Sequence, residues 1–105
     1  MTRGAEIRQV RRKGHRRHHP LLLLFATEND LGRTRFAISV SGRVGNAVVR
    51  NRTRRRIREA IRRQLPQTRP GWDCLFVARD GLPPASFSQV EQAVRDLMAQ
   101  AGVLD

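Results

Sequence analysis

Apolar residues along the chain cluster and alternate in a way that predicts three strands. Leu21 to Ala26 is a short apolar run followed by turn-forming residues at 28–32, which is typical of a buried strand. Residues 35–41 alternate between two faces, and Trp72 to Arg79 is a third strand-like run that ends before the Gly81 to Pro84 turn. We expect these three segments to form one sheet.

The two faces of the second predicted strand differ in chemistry. One face carries the apolar residues Phe36, Ile38 and Val40. The opposite face carries Ala37, Ser39 and Ser41. Because successive side chains point to opposite sides of a sheet, the first face should join the core. The second face is small and polar, so another chain could approach the sheet closely there.

Helical spacing predicts a short first helix and a long second one. The first covers residues 5–13, with Ile7 and Val10 on one side, and Gly14 ends it. The second covers residues 46–65. Its predicted apolar stripe consists of Val49, Thr53, Ile57, Ala60, Ile61 and Leu65. Most of its arginines fall outside this stripe.

The third predicted helix has a recognisable start. Ser86 or Ser88 can cap it, with Gln89 or Glu91 completing a capping box. Its apolar stripe consists of Val90, Ala93, Val94, Leu97, Met98 and Ala101. The resulting order is helix, strand, strand, helix, strand, helix, which predicts an α+β sandwich forming a single domain over residues 1–105.

The positive charge is concentrated in the first two thirds of the chain. The formal net charge is +12, with +14 in residues 1–63 and −2 in residues 64–105. Twenty of the 21 basic residues are arginine. Such asymmetry indicates one binding surface for a polyanion more than a general solubilising charge.

Residues 42–59 hold seven arginines and two asparagines against one carboxylate. A purely solvated helix face is disfavoured, because like charges at i,i+4 destabilise a helix unless a polyanion compensates them. A membrane-surface helix is also disfavoured, because the domain uses the apolar stripe and the segment lacks Trp. Arginine binds phosphate oxygens in a two-point contact, so the segment predicts a nucleic-acid interface.

The sequence does not predict an active site of its own. Carboxylates are scattered singly, without a pair suited to acid–base work or two-metal phosphodiester cleavage, and no Walker-type phosphate loop is present. The single cysteine, Cys74, is predicted to be a small buried residue in a strand. His15, His18 and His19 are interpreted as solvated residues in preference to metal ligands.

Three aromatic residues have two possible roles each. Phe25 and Phe36 could stack on unpaired bases, but Phe36 is in phase with apolar neighbours and is therefore assigned to the core. Phe25 stands at a strand end, and both roles remain open for it. Trp72 could cover the core or anchor a surface contact.

An ordered set of motifs carries a family resemblance. The strand over residues 35–41 ends in Ser-Val-Ser, and residues 44–60 then read Val-Gly-Asn-Ala-Val-Val-Arg-Asn-Arg-Thr-Arg-Arg-Arg-Ile-Arg-Glu-Ala. With Lys13-Gly14 before the first strand, this pattern resembles the protein subunit of bacterial ribonuclease P. The resemblance covers about residues 6–101.

The resemblance implies an αβββαβα sandwich with a small mixed sheet and a left-handed βαβ crossover, as in domain 2 of ribosomal protein S5. It implies an accessory subunit that assists endonucleolytic removal of the 5′ leader from precursor tRNA. A cytoplasmic location is expected from the residues themselves, because no apolar run of signal-peptide length follows the charged N-terminus and Leu21 to Ala26 is too short to span a bilayer. The catalytic RNA would perform the hydrolysis, with magnesium acting through that RNA. The protein itself would bind no cofactor, no metal, no membrane and no small-molecule substrate.

Two sets of residues follow from the resemblance by position. The residues expected to contact RNA are Arg43, Asn46, Arg50, Asn51, Arg52, Arg54, Arg55, Arg58 and Arg62. The residues expected to line a cleft for the leader are Ile7, Val10, Arg11, Phe25, Ser39 and Ser41.

The chain departs from the family pattern at three of its positions. Relatives often carry aromatic residues where Ile7 and Arg11 stand, so phosphate contact would replace part of the base stacking here. Gly42 stands where a Lys is usual. The alternative function is a basic ribosome-associated or DNA-binding scaffold with no role in tRNA processing, and a stand-alone ribonuclease is disfavoured by the scattered carboxylates.

Overall fold

The computed structural model describes residues 4–105, and the elements in that range form a mixed α+β fold. In chain order the elements are α1 (Gly4–Lys13), β1 (His15–His18), β2 (Leu22–Glu28), β3 (Arg35–Ser39), α2 (Ala47–Gln64), a 3-10 turn (Leu65–Gln67), β4 (Trp72–Ala78) and α3 (Phe87–Ala101). The αβββαβα order implied by the family resemblance is therefore present.

One four-stranded sheet has the order β1-β2-β4-β3. The β1–β2 and β2–β4 pairs are antiparallel, whereas β3 and β4 are parallel. Parallel neighbours need a crossover connection, and α2 provides it. The long arginine helix is thus fixed by topology beside β3, which is one edge of the sheet.

Periodicity alone missed the strand β1, which contains two of the three histidines interpreted as solvated. His15–His18 pairs with β2 in the register His15 to Ala26 and His18 to Leu23, and all four of its residues are exposed. The segment has no apolar alternation to detect, so its extended backbone depends on pairing with the buried β2. His19 follows, and its Nδ1 accepts a hydrogen bond from the Leu21 N–H at 3.0 Å. A charged edge strand of this kind resists pairing with other chains.

The sheet separates two apolar clusters of unequal size. The larger lies between the sheet and the α2–α3 pair and includes Leu22, Leu24, Ile57, Phe76 and Leu97, all fully buried. The smaller lies under α1 and consists of Val10, Phe25, Ala37 and Leu75. The predicted division of β3 holds, since Phe36 and Ile38 pack against the larger cluster and Ala37 joins the smaller one.

Trp72 and Cys74 in β4 both contribute to the larger cluster. Trp72 is partly buried against it, so the ring covers the core. Cys74 is fully buried, as predicted. Burial raises the pKa of its thiol to about 12, which keeps the sulfur protonated and unreactive at neutral pH.

Two positions differ from the predicted pattern at element ends. β3 ends at Ser39, so Ser41 lies exposed in the following turn and not on the sheet face. Leu65, assigned to the apolar stripe of the second helix, starts the 3-10 turn and is 49% exposed. Gln64 is buried instead, because the helix tightens before Pro66 and turns Leu65 away from α3.

The ends of α3 follow the predicted signals. Ser86 is the N-cap, and Gln89 completes the capping box with reciprocal hydrogen bonds of 3.1 and 2.8 Å. Gly102 ends the helix at φ 82°, a left-handed conformation that glycine adopts without a steric penalty. The helix therefore presents its whole apolar stripe to the sheet and α2.

A glycine and an ion-pair junction hold α1 against the sheet. A Cβ on Gly14 would lie 2.6 Å from the Val10 carbonyl oxygen and 3.1 Å from the Ala26 nitrogen, so only glycine allows the tight turn into β1. At the other end, Arg35 on β3 forms ion pairs with both Glu6 and Asp73. This junction links α1, β3 and β4.

Asp73 is the centre of the junction. It accepts hydrogen bonds from Arg35 Nε at 2.8 Å, Arg35 Nη2 at 2.7 Å and Asn29 Nδ2 at 2.8 Å. The hydrogen bonds from Arg35 lower the pKa of the Asp73 carboxyl below its usual value. A carboxyl with a lowered folded pKa stabilises the protein above its unfolded pKa of about 3.9, and this stabilisation is lost as the pH falls below that value.

We predict that Asp73→Asn lowers the free energy of unfolding at pH 7 by about 1–3 kcal/mol, because it leaves part of the half-buried Arg35 guanidinium without a charged partner. Denaturant melts at pH 7, 4 and 3 would measure this. The difference between variant and parent should shrink as the pH falls below the unfolded-state pKa of about 3.9, because the parent then loses the stabilisation that its ionised Asp73 supplies. Asp80→Asn, at an exposed site, is the control. A constant difference at all three pH values would contradict the assigned role.

Candidate nucleic-acid interface

The start of α2 is built by a cap and a close backbone approach. Asn46 Oδ1 accepts a hydrogen bond from the Val49 N–H at 3.0 Å. The Asn46 side chain, which was predicted to contact RNA, is therefore the N-cap of α2. A Cβ on Gly45 would lie 2.8 Å from Val49 Cγ1. The Gly-Asn pair therefore fixes where the helix begins and where its first arginines project.

The buried stripe of α2 orients the remaining faces of the helix. Thr53, Ile57, Ala60 and Ile61 are buried, and Thr53 Oγ1 donates to the Val49 carbonyl at 2.8 Å instead of leaving a hydroxyl unpaired in the core. Each turn brings one of these residues to the sheet or to α3. The arginines between them lie on the remaining faces of the helix, where Arg55 and Arg58 are exposed and Arg54 and Arg56 are half-buried.

Two arginines on the α3 side of α2 have structural partners. Arg56 Nη1 donates to the Ala85 carbonyl at 2.7 Å. The Arg63 guanidinium lies 4.7 Å from the centre of the Phe87 ring and within 3.5 Å of Glu91. Neither residue was among the predicted RNA contacts, and their side chains tie α2 to α3 and its preceding loop.

Most of the predicted RNA contacts lie on the outward face of α2. We call this surface the arginine face. Its members are Arg50, Asn51, Arg52, Arg54, Arg55 and Arg58. Among residues 4–105, none of these arginines lies within 4.0 Å of a carboxylate. Arg54 Nη1 donates to Asn51 Oδ1 at 3.1 Å, which orders that pair without neutralising it. The face is therefore a set of cations available to an external anion.

A shallow groove of about 510 Å³ runs along the arginine face, lined by Val48, Asn51, Arg54, Arg55 and Arg58. Val48 is 76% exposed, an unusual position for an apolar residue in the first turn of a helix. The combination of cationic sides with one apolar contact suits a sugar–phosphate backbone, which has both charged and apolar parts.

Two further predicted contacts lie at the borders of the arginine face. Arg43 is exposed in the turn before α2. Arg62 forms two hydrogen bonds to Glu59 at 2.6 and 2.9 Å. The bond from Arg62 is the main cause that lowers the pKa of Glu59 to about 2, so Glu59 is ionised at neutral pH. An RNA phosphate at Arg62 would have to share the guanidinium with that carboxylate.

The predicted leader-cleft residues divide into buried and accessible ones. Val10 and Phe25 are buried in the smaller cluster, and the Arg11 guanidinium lies 5.5 Å from the centre of the Phe25 ring. Ile7 and Ser39 are half-buried. Arg11 would have to move before a base could stack on Phe25, and Ser41 stands outside the sheet.

Strand register shows an open row that the sequence reasoning did not include. His18 pairs with Leu23, Leu23 with Val77, and Val77 with Ser39, so their four side chains share the α1 side of the sheet. Leu23 and Val77 are half-buried, whereas Phe25 and Leu75, which pair with each other in the adjacent row, are buried under α1. The wholly apolar run of β2 gave no signal to distinguish Leu23 from its buried neighbours.

The described part of the chain has neither a metal-ligand cluster nor a membrane-spanning helix. Within residues 4–105, no group of three or more His, Cys, Asp or Glu side chains is arranged to hold a metal ion. In the same range, none of the helices combines the length and apolar character needed to cross a bilayer.

Comparison with known proteins places this geometry in a family. The family model described as Ribonuclease P matches residues 1–102. The ribonuclease P protein component of Herpetosiphon aurantiacus is 43% identical over 96 residues, covering 91% of this chain and 78% of the relative. That of Roseiflexus castenholzii is 42% identical over 100 residues, covering 94% and 82%. The solved RNase P protein of Staphylococcus aureus superimposes with a TM-score of 0.91 at 24% identity, covering 100% and 96% of the two chains.

A mixed sheet crossed by an arginine-rich helix defines a basic RNA-binding protein of α+β class. The chain belongs to the ribonuclease P protein family, the protein component of a tRNA-processing ribonucleoprotein. Its partner is accordingly the RNA of ribonuclease P. The alternative of a ribosome-associated or DNA-binding scaffold has no support in these relationships.

Proposed function

We propose that the arginine face of α2 binds the catalytic RNA of ribonuclease P and that the α1 side of the sheet holds the 5′ leader of precursor tRNA. The observation that carries the first part is the set of outward arginines without carboxylate partners in residues 4–105. When unpaired cations on a rigid helix neutralise RNA phosphates, the counterions condensed on the RNA are released, which makes binding favourable. Arg43 and Arg62 extend the contact at either end, and the cap Asn46 positions it.

The leader proposal rests on the open row of the sheet. Ser39 is small, Leu23 and Val77 offer a half-buried apolar floor, and His18 closes the row at the β1 edge. A single strand could lie along this floor beside α1. Arg11, where relatives often have an aromatic residue, would then contribute charge to the leader path while covering Phe25.

We further propose that the RNA supplies the hydrolytic chemistry and binds the magnesium ions. This is supported by the state of the carboxylates, five of which are engaged with arginines. These five are Glu6, Glu59, Asp73, Glu91 and Asp105. A carboxylate bound to a guanidinium is a weak base, so none of these is suited to activate water. The protein would act on tRNA precursors in the cytoplasm as an accessory subunit.

We infer that the β3–α2–β4 crossover is left-handed and resembles domain 2 of ribosomal protein S5. The close superposition on the Staphylococcus aureus protein supports a shared chain path. The uncommon hand would direct α2 to the side of the sheet opposite α1, which separates the two RNA surfaces.

Removal of the arginine face should weaken binding to the catalytic RNA in a salt-dependent way. We expect replacement of Arg50, Arg54, Arg55 and Arg58 by Ala to reduce the slope of log affinity against log salt by about one per lost phosphate contact. Filter binding to a bacterial ribonuclease P RNA across a potassium chloride series measures this.

A control with the same change in net charge separates local contact from general attraction. It replaces the exposed residues Arg33, Arg69, Arg79 and Arg95 by Ala, all outside the arginine face. The control should change the slope much less. Equal slopes for the two variants would show that α2 is not the contact surface.

A negative charge on the open row should affect the leader alone. We predict that Ser39→Glu weakens the binding of precursor tRNA to the holoenzyme severalfold and leaves mature tRNA binding unchanged, because only the precursor carries leader phosphates. Ser88→Glu, an exposed position at the start of α3, is the matched control. Equal loss for precursor and mature tRNA, or a lowered melting temperature, would refute the leader assignment.

A further inference from the structure

A second concave surface adjoins the arginine face at Arg54 and Arg58 and lies at the free edge of β3. It has a volume of about 650 Å³, within the range of small-ligand sites. Its walls come from three elements: Ile7 on α1, the β3 residues Phe36 to Ile38, and the segment from Arg54 to Leu65. We call it the edge pocket. It lies at the end of the strand order, where β3 has no further neighbour in the sheet, and none of the open-row residues lines it.

The floor of the edge pocket is apolar and partly uncovered. Phe36, Ile38 and Ile7 are each half-buried, and Leu65 is 49% exposed. The helix could have continued its stripe into the core at Leu65, but the 3-10 turn directs that side chain to the pocket instead. Exposed apolar residues collected at one place indicate a binding surface more than isolated ones do.

The rim of the edge pocket is cationic. Arg54, Arg58 and Arg62 stand along it at successive turns of α2. Arg62 is paired with Glu59 and Arg54 with the Asn51 amide, whereas Arg58 has no hydrogen-bond partner within residues 4–105. A purely apolar ligand would make no use of this cationic rim. Charge complementarity therefore calls for an occupant with one part that is apolar or planar and another part that is anionic.

Backbone polarity adds a third requirement. β3 pairs only with β4, so the outer edge of β3 presents peptide N–H and C=O groups toward the pocket side. A ligand with donors and acceptors in one plane could pair with that edge. An unpaired nucleotide meets all three conditions, because it has an aromatic base, a polar base edge and a phosphate.

We propose that the edge pocket binds a single unpaired nucleotide of an RNA partner, with the base against Phe36, Ile38 and Leu65 and its phosphate at Arg58. This proposal rests on the assignment of α2 as the RNA-binding helix. It adds a base-binding site to what would otherwise be a purely electrostatic contact.

Methyl NMR of the full chain tests the site directly. The probes are AMP, CMP, GMP and UMP, with ribose 5-phosphate as the ligand lacking a base and adenosine as the ligand lacking a phosphate. Nucleotides should shift the methyl signals of Ile7, Ile38, Ile61 and Leu65. Ribose 5-phosphate should leave these signals unchanged, and adenosine should bind more weakly than AMP, with the difference reduced in Arg58→Ala.

A neutral substitution separates this site from the arginine face. Leu65→Gln should weaken AMP binding roughly fivefold through lost apolar contact. Its effect on binding to the ribonuclease P RNA should be a lower affinity at an unchanged salt slope. Leu31→Gln is the matched control, since Leu31 is also 49% exposed but lies in the loop between β2 and β3.

Several results would overturn the proposal. Equal shifts with ribose 5-phosphate would mean a phosphate site only, and equal affinity for adenosine and AMP would mean an aromatic site without nucleotide character. Methyl signals that change with protein concentration in the absence of nucleotide would identify a self-association surface. None of these results would change the outcome of the salt-slope test on the arginine face. Failure of the edge-pocket proposal can therefore be distinguished from failure of the proposal that α2 binds RNA.

Discussion

The structure depends on α2 being held by packing while its own charges oppose the helix. Arg50, Arg54, Arg58 and Arg62 follow one another at i,i+4 spacing, and each like-charged pair costs about 0.2–0.5 kcal/mol. Burial of a single isoleucine such as Ile57 contributes about 1.5–3 kcal/mol. The buried stripe therefore offsets the repulsion, so Arg50, Arg54 and Arg58 can remain without carboxylate partners in residues 4–105, available to an external anion. Packing thus supplies the free energy that keeps the helix folded, and the arginines remain available for binding RNA.

The same topology leaves the two sides of the sheet covered to different extents. α2 and α3 cover one side with the larger cluster, and α1 covers only part of the other through Val10 and the Arg35 junction. A larger first helix would bury the row from His18 to Ser39. The small second cluster thus leaves a floor on which a single strand could lie, while α2 presents its arginines elsewhere.

The sequence allowed the helices and three strands to be predicted, because their apolar residues recur at 3.6 or 2 positions. It also allowed the division of β3 and the outward arginines to be predicted, since both follow from the same periodicity. β1 was not predictable from periodicity, because the residues His15 to His18 have no apolar member and extend only by pairing with β2.

Other features depended on packing that a linear pattern does not contain. The exposure of Leu65 results from a change to 3-10 geometry ahead of Pro66. The role of Arg56 depends on the loop carbonyl of Ala85, 29 positions away. Leu23 was indistinguishable from Leu22 and Leu24 until the register with β4 and the position of α1 were known.

The measurement that tests the central claim most directly is single-turnover cleavage of precursor tRNA by a bacterial ribonuclease P RNA, with and without this protein, at low magnesium. If the protein neutralises RNA phosphates and holds the leader, its addition should restore cleavage that low magnesium suppresses, because its arginines replace part of the screening by divalent ions. The protein without RNA should not cleave. No stimulation by the protein, or cleavage by the protein alone, would contradict the account.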